Sequence, residues 1–314
     1  MSKIIDLGIT VPTVDDILAR LRDFTSNREG KGVANYHRIF GPRWADSLGM
    51  SMEEMLSERD RLSEDEFATF LRSKAQSLAA DSSSFLKELD EIGIEWGLVT
   101  SIDYDKTAEL LSHLSGRIKA MALANPLEGK TAVRELERSV RELGFIAFYA
   151  SPFHWGIQAD DPKFHPFYAK ALELDIPVFI YTSMNYRTDY PMDIGRPLYV
   201  DRVAMAFPEM RIVCDCGGWP WVPEMIGVAR RHPNVYITTS SHRPKYLAVP
   251  GSGWEMLLQF GNTLLQDNIL FASGVGDLGI PLGQIVKEMR ELPLKEKVKE
   301  KWLYHNAVRL FDRG

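Results

Sequence analysis

Asp215 is the residue of this sequence best placed to move a proton. It follows the apolar run Ile212-Val213-Cys214 and precedes Gly217-Gly218-Trp219-Pro220-Trp221. A carboxyl at the rim of an apolar core is pushed toward its neutral form by burial, or stays charged beside a cation, and either state serves a proton transfer. The competing reading is a carboxylate that accepts backbone N–H groups in the glycine turn. Two imidazoles, His154 and His242, also fall just after strand-like runs, and imidazole titrates near neutrality. Tyr181 ends the run Ile176–Tyr181, where a phenol would donate to an oxygen on which charge develops; with an ordinary pKa of about 10 it is a poor base without help. Asp277 stands in the glycine-rich segment 271–279, which suits a rim loop as well as a site.

The cations complete the set. Guanidinium grips a carboxylate in a bidentate fork, which makes Arg187 and Arg243 the candidate substrate anchors; the alternative for Arg187 is a salt bridge to Asp189 or Asp193. Trp155, Tyr186 and Trp219 lie in the same loops and offer flat walls for a small organic substrate, although packing between loops serves Trp219 as well. His113, His165, His232 and His305 fall within or beside helical stretches, where structural or surface roles are expected.

These groups need a scaffold that brings distant segments together. Strand-like runs occur at 3–9, 94–101, 118–123, 144–150, 177–182, 211–215, 234–239 and 268–273, separated by helical patterns at 103–115, 130–142, 163–174, 198–206, 223–231 and 252–265, with final helices at 281–290 and 294–311. Eight strands alternating with helices predict an α/β fold, a (β/α)8 TIM barrel, whose chemistry sits at the C-terminal strand ends. An open doubly wound sheet is the weaker alternative, since no strand leads into a dinucleotide or phosphate loop. The first strand is followed by an insertion. Residues 13–24 and 51–61 read as helices, 63–92 as a helix opened by the capping box Ser63…Glu66, and 25–50 as a long irregular stretch carrying Tyr36, His37, Phe40 and Trp44. We expect one barrel domain spanning 1–314, with 12–92 as an accessory cover.

Composition sets the outer limits. The chain has 314 residues, 45% hydrophobic and 25% charged, with a net charge of −6, which disfavours a general nucleic-acid or anionic-membrane surface. Cys214 and Cys216 are the two cysteines, no disulfide framework, as suits a reducing cytoplasm. No basic leader precedes an apolar stretch, and no run approaches the ~18 apolar residues of a membrane span. The expected partner is a small carboxylate, the expected location the cytoplasm, and the expected assembly a homodimer with Tyr36–Trp44 as a contact.

The chain resembles the amidohydrolase-related (amidohydrolase 2) family, which includes aminocarboxymuconate-semialdehyde decarboxylase and related barrel decarboxylases and hydrolases. The likeness runs from about residue 118 and rests on Asp161-Pro162-Lys163-Phe164-His165-Pro166-Phe167-Tyr168, Ile176-Pro177-Val178-Phe179-Ile180, Gly217-Gly218, His232-Pro233-Asn234-Val235-Tyr236, Ile269-Leu270-Phe271 and Asn306-Ala307-Val308-Arg309-Leu310-Phe311. The resemblance implies a barrel with usually one divalent metal that decarboxylates, hydrolyses or hydrates small cyclic or unsaturated acids. The family's metal positions fall here on Gly8 and Thr10, Tyr181, Asp215 and Gly274. Zinc needs about three protein ligands even in an open site, so no metal and no cofactor is expected. Three functions follow: a metal-independent, decarboxylase-like lyase; a hydrolase in which the same groups activate water; and a non-enzymatic protein that binds a small acid or a partner.

Overall fold

Parallel pairing runs without interruption from the first strand to the last. In the computed structural model, which describes residues 3–18 and 31–312, the strands are β1 (Ile4–Asp6), β2 (Ile94–Ser101), β3 (Ile118–Leu123), β4 (Ala147–Ala150), β5 (Val178–Tyr181), β6 (Ile212–Asp215), β7 (Val235–Thr238) and β8 (Ile269–Leu270), hydrogen-bonded in that order. The ends of the row meet as well. The Leu7 N–H donates to Phe271 O at 3.0 Å and the Gly274 N–H donates to Gly8 O at 3.0 Å, which joins β8 to β1. The architecture is the expected α/β TIM barrel.

Alternation along each strand sorts side chains into two layers. Val178 and Ile180, Ile212 and Cys214, Val235 and Ile237 face outward into the layer shared with the helices. Ile5, Leu7, Trp96, Leu98, Met121, Phe179, Val213 and Leu270 fill the interior. The helix Asn306–Phe311 supplies Ala307 and Leu310 to this inner cluster, and Phe311 meets the Trp96 ring edge-on at 5.3 Å. The same alternation leaves Tyr149, Tyr181, Asp215 and Thr238, near the strand ends, on the interior side.

The insertion differs from the sequence reading in two places. Lys31–Ser47 is a helix, with Pro42 inside it, where an irregular stretch was expected. Glycine and proline weaken its local propensity, but Phe40, Trp44 and Leu48 recur at four-residue spacing and pack with Met55, Phe67 and Leu71 in a small separate core. Tertiary burial overrides propensity there. The expected helix 63–92 is two, Glu64–Leu78 and Ser82–Ile92, because Asp81 accepts the Ser84 N–H at 2.9 Å and starts a new helix. The capping box of Ser63 and Glu66 is present. Of the helix expected at 13–24, residues 14–18 are helical and the rest lies outside the described residues, as do the side chains of Tyr36 and His37.

Candidate active site

A cavity of about 980 Å³ opens at the C-terminal ends of the strands, lined by the barrel ends and by Ile39, Phe40, Arg43 and Trp44 of the helix Lys31–Ser47. Its floor is a hydroxyl-bound carboxyl. Thr238 Oγ1 donates to Asp215 Oδ1 at 2.6 Å, and Tyr149 Oη donates to Asp215 Oδ2 at 2.9 Å. Strands β4, β6 and β7 contribute one member each, which is why no local motif announces the cluster. Burial raises the Asp215 pKa above the usual carboxylate range, against the pull of the Thr238 and Tyr149 hydrogen bonds and with a further push from nearby Asp277. Asp215 has the burial that the first sequence reading named, and its partners are side-chain hydroxyls rather than glycine-turn N–H groups alone. It is a buried acid held by two side-chain hydroxyls.

The turn after β6 places Cys216 beside this carboxyl. Its Sγ lies 3.7 Å from Asp215 Oδ2, and it faces the cavity while Cys214 is buried in the outer layer. Burial, then Asp215 and Asp277, hold the Cys216 thiol well above its ordinary pKa, so it is protonated at neutral pH. Opposite, Ser241 Oγ donates to Asp277 Oδ2 at 2.5 Å. Cys216 and Ser241 have φ of 66° and 62°, a left-handed conformation that costs a side-chain-bearing residue on the order of 1–3 kcal/mol.

The histidines are less available than the sequence suggests. His242 lines the cavity with its ring 4.8 Å from Trp254 and 6.1 Å from Trp219. Burial first, then the Arg43 charge, lowers its pKa to about 4, so it is neutral at pH 7 and does not titrate near neutrality. His154 is exposed at the cavity edge, its Nδ1 2.7 Å from Ser151 Oγ. Tyr181 lines the cavity but donates its hydroxyl to Met184 O at 2.9 Å, leaving an oxygen lone pair rather than the expected donor.

Both expected anchors are already engaged. Arg187 forms a two-pronged pair with Asp189, Nε to Oδ1 at 2.9 Å and Nη2 to Oδ2 at 2.5 Å, the alternative named for it from sequence. Arg243 grips Glu288 through Nε at 2.9 and 3.0 Å, and Glu288, 3% exposed, also accepts Gln284 Nε2 at 2.9 Å. That is a structural clamp between the β7 loop and the helix Leu282–Arg290. Arg43 was missed. Among the described residues it makes no ion pair; it lies over the Phe40 ring at 5.6 Å, and its charge bears on His242 and on the Tyr186 hydroxyl. Tyr186 lines the cavity edge-on to Phe40 at 5.3 Å. Trp155 and Trp219 do not belong to the lining. Trp155 packs on the core, and Trp219 Nε1 donates to Ser252 O at 3.4 Å. Cys216, Ser241 and Tyr149 carried the usable signal that they stand at the ends of strand-like runs or within a few residues after them; Arg43, in a stretch read as irregular, carried none.

The residues do not fit the metal that the family resemblance implies. Among the described residues no three His, Cys, Asp or Glu side chains converge on a point. The room for replacements is also gone. A Cβ on Gly8 would come within 3.1 Å of Ala272 Cβ and 3.3 Å of Ser240 Oγ, and one on Gly274 would collide with the Ser241 backbone nitrogen. Asp215 is the one acidic side chain left at these positions, and both its oxygens are taken by hydroxyls.

A barrel with its pocket at the strand ends, covered by an insertion after β1, defines the class. Residues 96–313 match the Amidohydrolase family, and the chain belongs to it. Over its full length the structure is similar to a TIM-barrel protein of Bordetella bronchiseptica, with 23% identity, a TM-score of 0.70 and coverage of 98% of both chains. It is also similar to the 5-carboxyvanillate decarboxylase of Novosphingobium aromaticivorans, solved with manganese, at 17% identity, a TM-score of 0.62 and coverage of 98% of this chain and 96% of that one. Among curated proteins it is 25% identical to the decarboxylase OrsB of Emericella nidulans over 130 residues, 38% of this chain and 34% of that protein. The match thus spans about a third of that relative's length.

Proposed function

We propose that this protein is a metal-independent, decarboxylase-like lyase of a small cyclic or unsaturated carboxylic acid. The observation that carries the reading is the pairing, in one cavity, of a guanidinium without an acid partner among the described residues and a buried, hydroxyl-held carboxyl. Arg43 holds the substrate carboxylate, replacing Arg187 and Arg243 in that role, and Phe40, Trp44 and Tyr186 flank the ring. Loss of CO2 leaves an electron pair on carbon that the unsaturated substrate delocalises, and Asp215 with its neighbours holds the proton that replaces CO2. The family membership and the decarboxylases among the relatives support a carboxy-lyase or hydrolase over a plain binding protein. Metal independence is supported by the glycines at the family's metal positions and by the crowding around them. His154, Tyr181, His242 and Asp277 line the rim and orient the substrate in this reading. Cytoplasmic residence and a homodimer belong to the same proposal.

The test is CO2 release from a panel of aromatic and unsaturated acids, including 5-carboxyvanillate, by protein purified without added metal. Turnover unaffected by EDTA, with substoichiometric metal by elemental analysis, is the expected result. Activity that requires a stoichiometric divalent ion would overturn metal independence. A second reading, hydrolysis, gains if esters or lactones in place of acids are consumed, with Ser241 and Asp277 then the groups to examine.

A further inference from the structure

We propose that Cys216 is the proton donor to the substrate carbon, its Sγ–H standing between the Asp215 carboxyl and the carbon that carries the Arg43-held carboxylate. The inference rests on the decarboxylase reading and names the atom that reading leaves open. Asp215 cannot readily present its own carboxyl to the substrate: Oδ1 is bound by Thr238, and Oδ2 by Tyr149 and the Cys216 thiol. The hydroxyls of Tyr181 and Ser241 are held by Met184 O at 2.9 Å and by Asp277 Oδ2 at 2.5 Å, whereas the thiol, a weak donor, makes only a long contact of 3.7 Å with Asp215 Oδ2, so its proton is the most loosely held of the three. His242 is a neutral imidazole at pH 7, without the acidic imidazolium proton. Cys216 and Arg43 line the same cavity, and both bear electrostatically on the Tyr186 hydroxyl.

The step balances without an oxidant or a metal. The C–COO⁻ bond breaks, CO2 departs, and the electron pair left on carbon takes the proton of Sγ–H, forming C–H. The thiolate is reloaded from solvent in the open cavity, directly or through the Asp215 carboxyl beside it. The net reaction is a carboxylate plus one proton giving CO2 and a C–H bond in its place. A thiol held above its usual pKa stays protonated at neutral pH and is still far more acidic than the C–H bond it forms.

Bromoacetate tests the placement, because it is a carboxylate with an electrophilic carbon next to the carboxyl. We expect single, saturable labelling of the wild-type protein at Cys216, blocked by benzoate, slowed at least 10-fold in Arg43→Met and absent in Cys216→Ser, which retains Cys214. Labelling that does not saturate, proceeds equally in Arg43→Met or persists in Cys216→Ser would overturn the proposal. With any acid of the panel that releases CO2, Cys216→Ala should lose at least 100-fold in kcat with KM little changed. Wild-type turnover in Cys216→Ala would also overturn it while leaving the decarboxylase reading intact. If no acid releases CO2 yet labelling remains saturable and Arg43-dependent, the decarboxylase reading fails and the position of the thiol beside the carboxylate-bearing carbon stands.

Discussion

At the scale of single residues, the cavity's charge balance separates gripping from scaffolding. Arg43→Met should raise KM for carboxylates by at least 10-fold with little change in melting temperature, because its guanidinium has no acid partner among the described residues to abandon. Arg243→Met should do the reverse. It leaves Glu288 buried and uncompensated, a loss near the low end of about 3–5 kcal/mol, which thermal or urea unfolding would measure. Asp215→Asn keeps the shape and an acceptor for one of the two hydroxyls, Thr238 or Tyr149, but cannot exchange a proton. The reading requires kcat to fall by about 10²-fold or more, and unchanged turnover would remove Asp215 from the chemistry. Asp215 was legible in sequence because it ends an apolar run before a glycine pair. Its partners Tyr149 and Thr238 were not, since they lie 66 and 23 residues away and only barrel closure brings them to it.

Two buried groups should also shape stability against pH, with opposite signs. Asp6, 0% exposed, accepts the Gly8 and Ser273 N–H groups on Oδ1 at 3.0 and 2.7 Å, while Oδ2 is buried without a partner. Burial raises its pKa to about 6. Its contribution is therefore full below about pH 4 and is lost as pH rises through 6, on the order of 3 kcal/mol for a shift of about 2 units. His242, lowered to about 4, works the other way: its contribution is full above about pH 6.5 and is lost as pH falls through 4. Between these limits the two slopes oppose, so Asp6→Asn should be less stable at pH 4 relative to pH 6.5 than the wild type is. Urea unfolding at both pH values checks this, and identical pH dependence in both proteins would refute it.

At the scale of elements, the helix Lys31–Ser47 is the part that sequence could not place and the part on which the pocket depends. Its glycines and proline read as loop; its docking is decided by partners far along the chain. Gly279, at φ 62°, lets the chain after β8 approach this helix so closely that an added Cβ would stand 3.1 Å from Arg43 O. Gly279→Val should push the helix outward, weaken carboxylate binding several-fold and cost about 1–2 kcal/mol of stability. Full binding in that variant would show that Arg43 is positioned by something else. The strands were legible because short apolar runs alternate with helical patterns from residue 94 onward. The split at Asp81 was missed because Leu78-Ala79-Ala80 continues the helical pattern and only the Asp81-Ser82-Ser83-Ser84 cap interrupts it.

At the scale of the molecule, the barrel order could be counted from the sequence, since eight strands with helical crossovers admit few closures. What could not be read was which faces meet other chains. Phe40 and Trp44, from the segment expected at a subunit contact, line the cavity. Leu198 and Met205, 42% and 58% exposed and two turns apart on the helix Pro197–Ala206, offer an alternative apolar face. Sedimentation at micromolar concentration should give a dimer, and a monomer throughout that range would dispose of the assembly proposal.

The cavity wall built from Phe40, Arg43 and Trp44 lies upstream of residue 96, where the family match begins. The hydroxyl-held carboxyl of the floor and the aromatic and cationic roof above it are thus written in separate stretches of the gene. If the roof grips the substrate as proposed, recombination or drift in roughly the first ninety residues would change which acid fits while leaving Asp215, Tyr149 and Thr238 as they are.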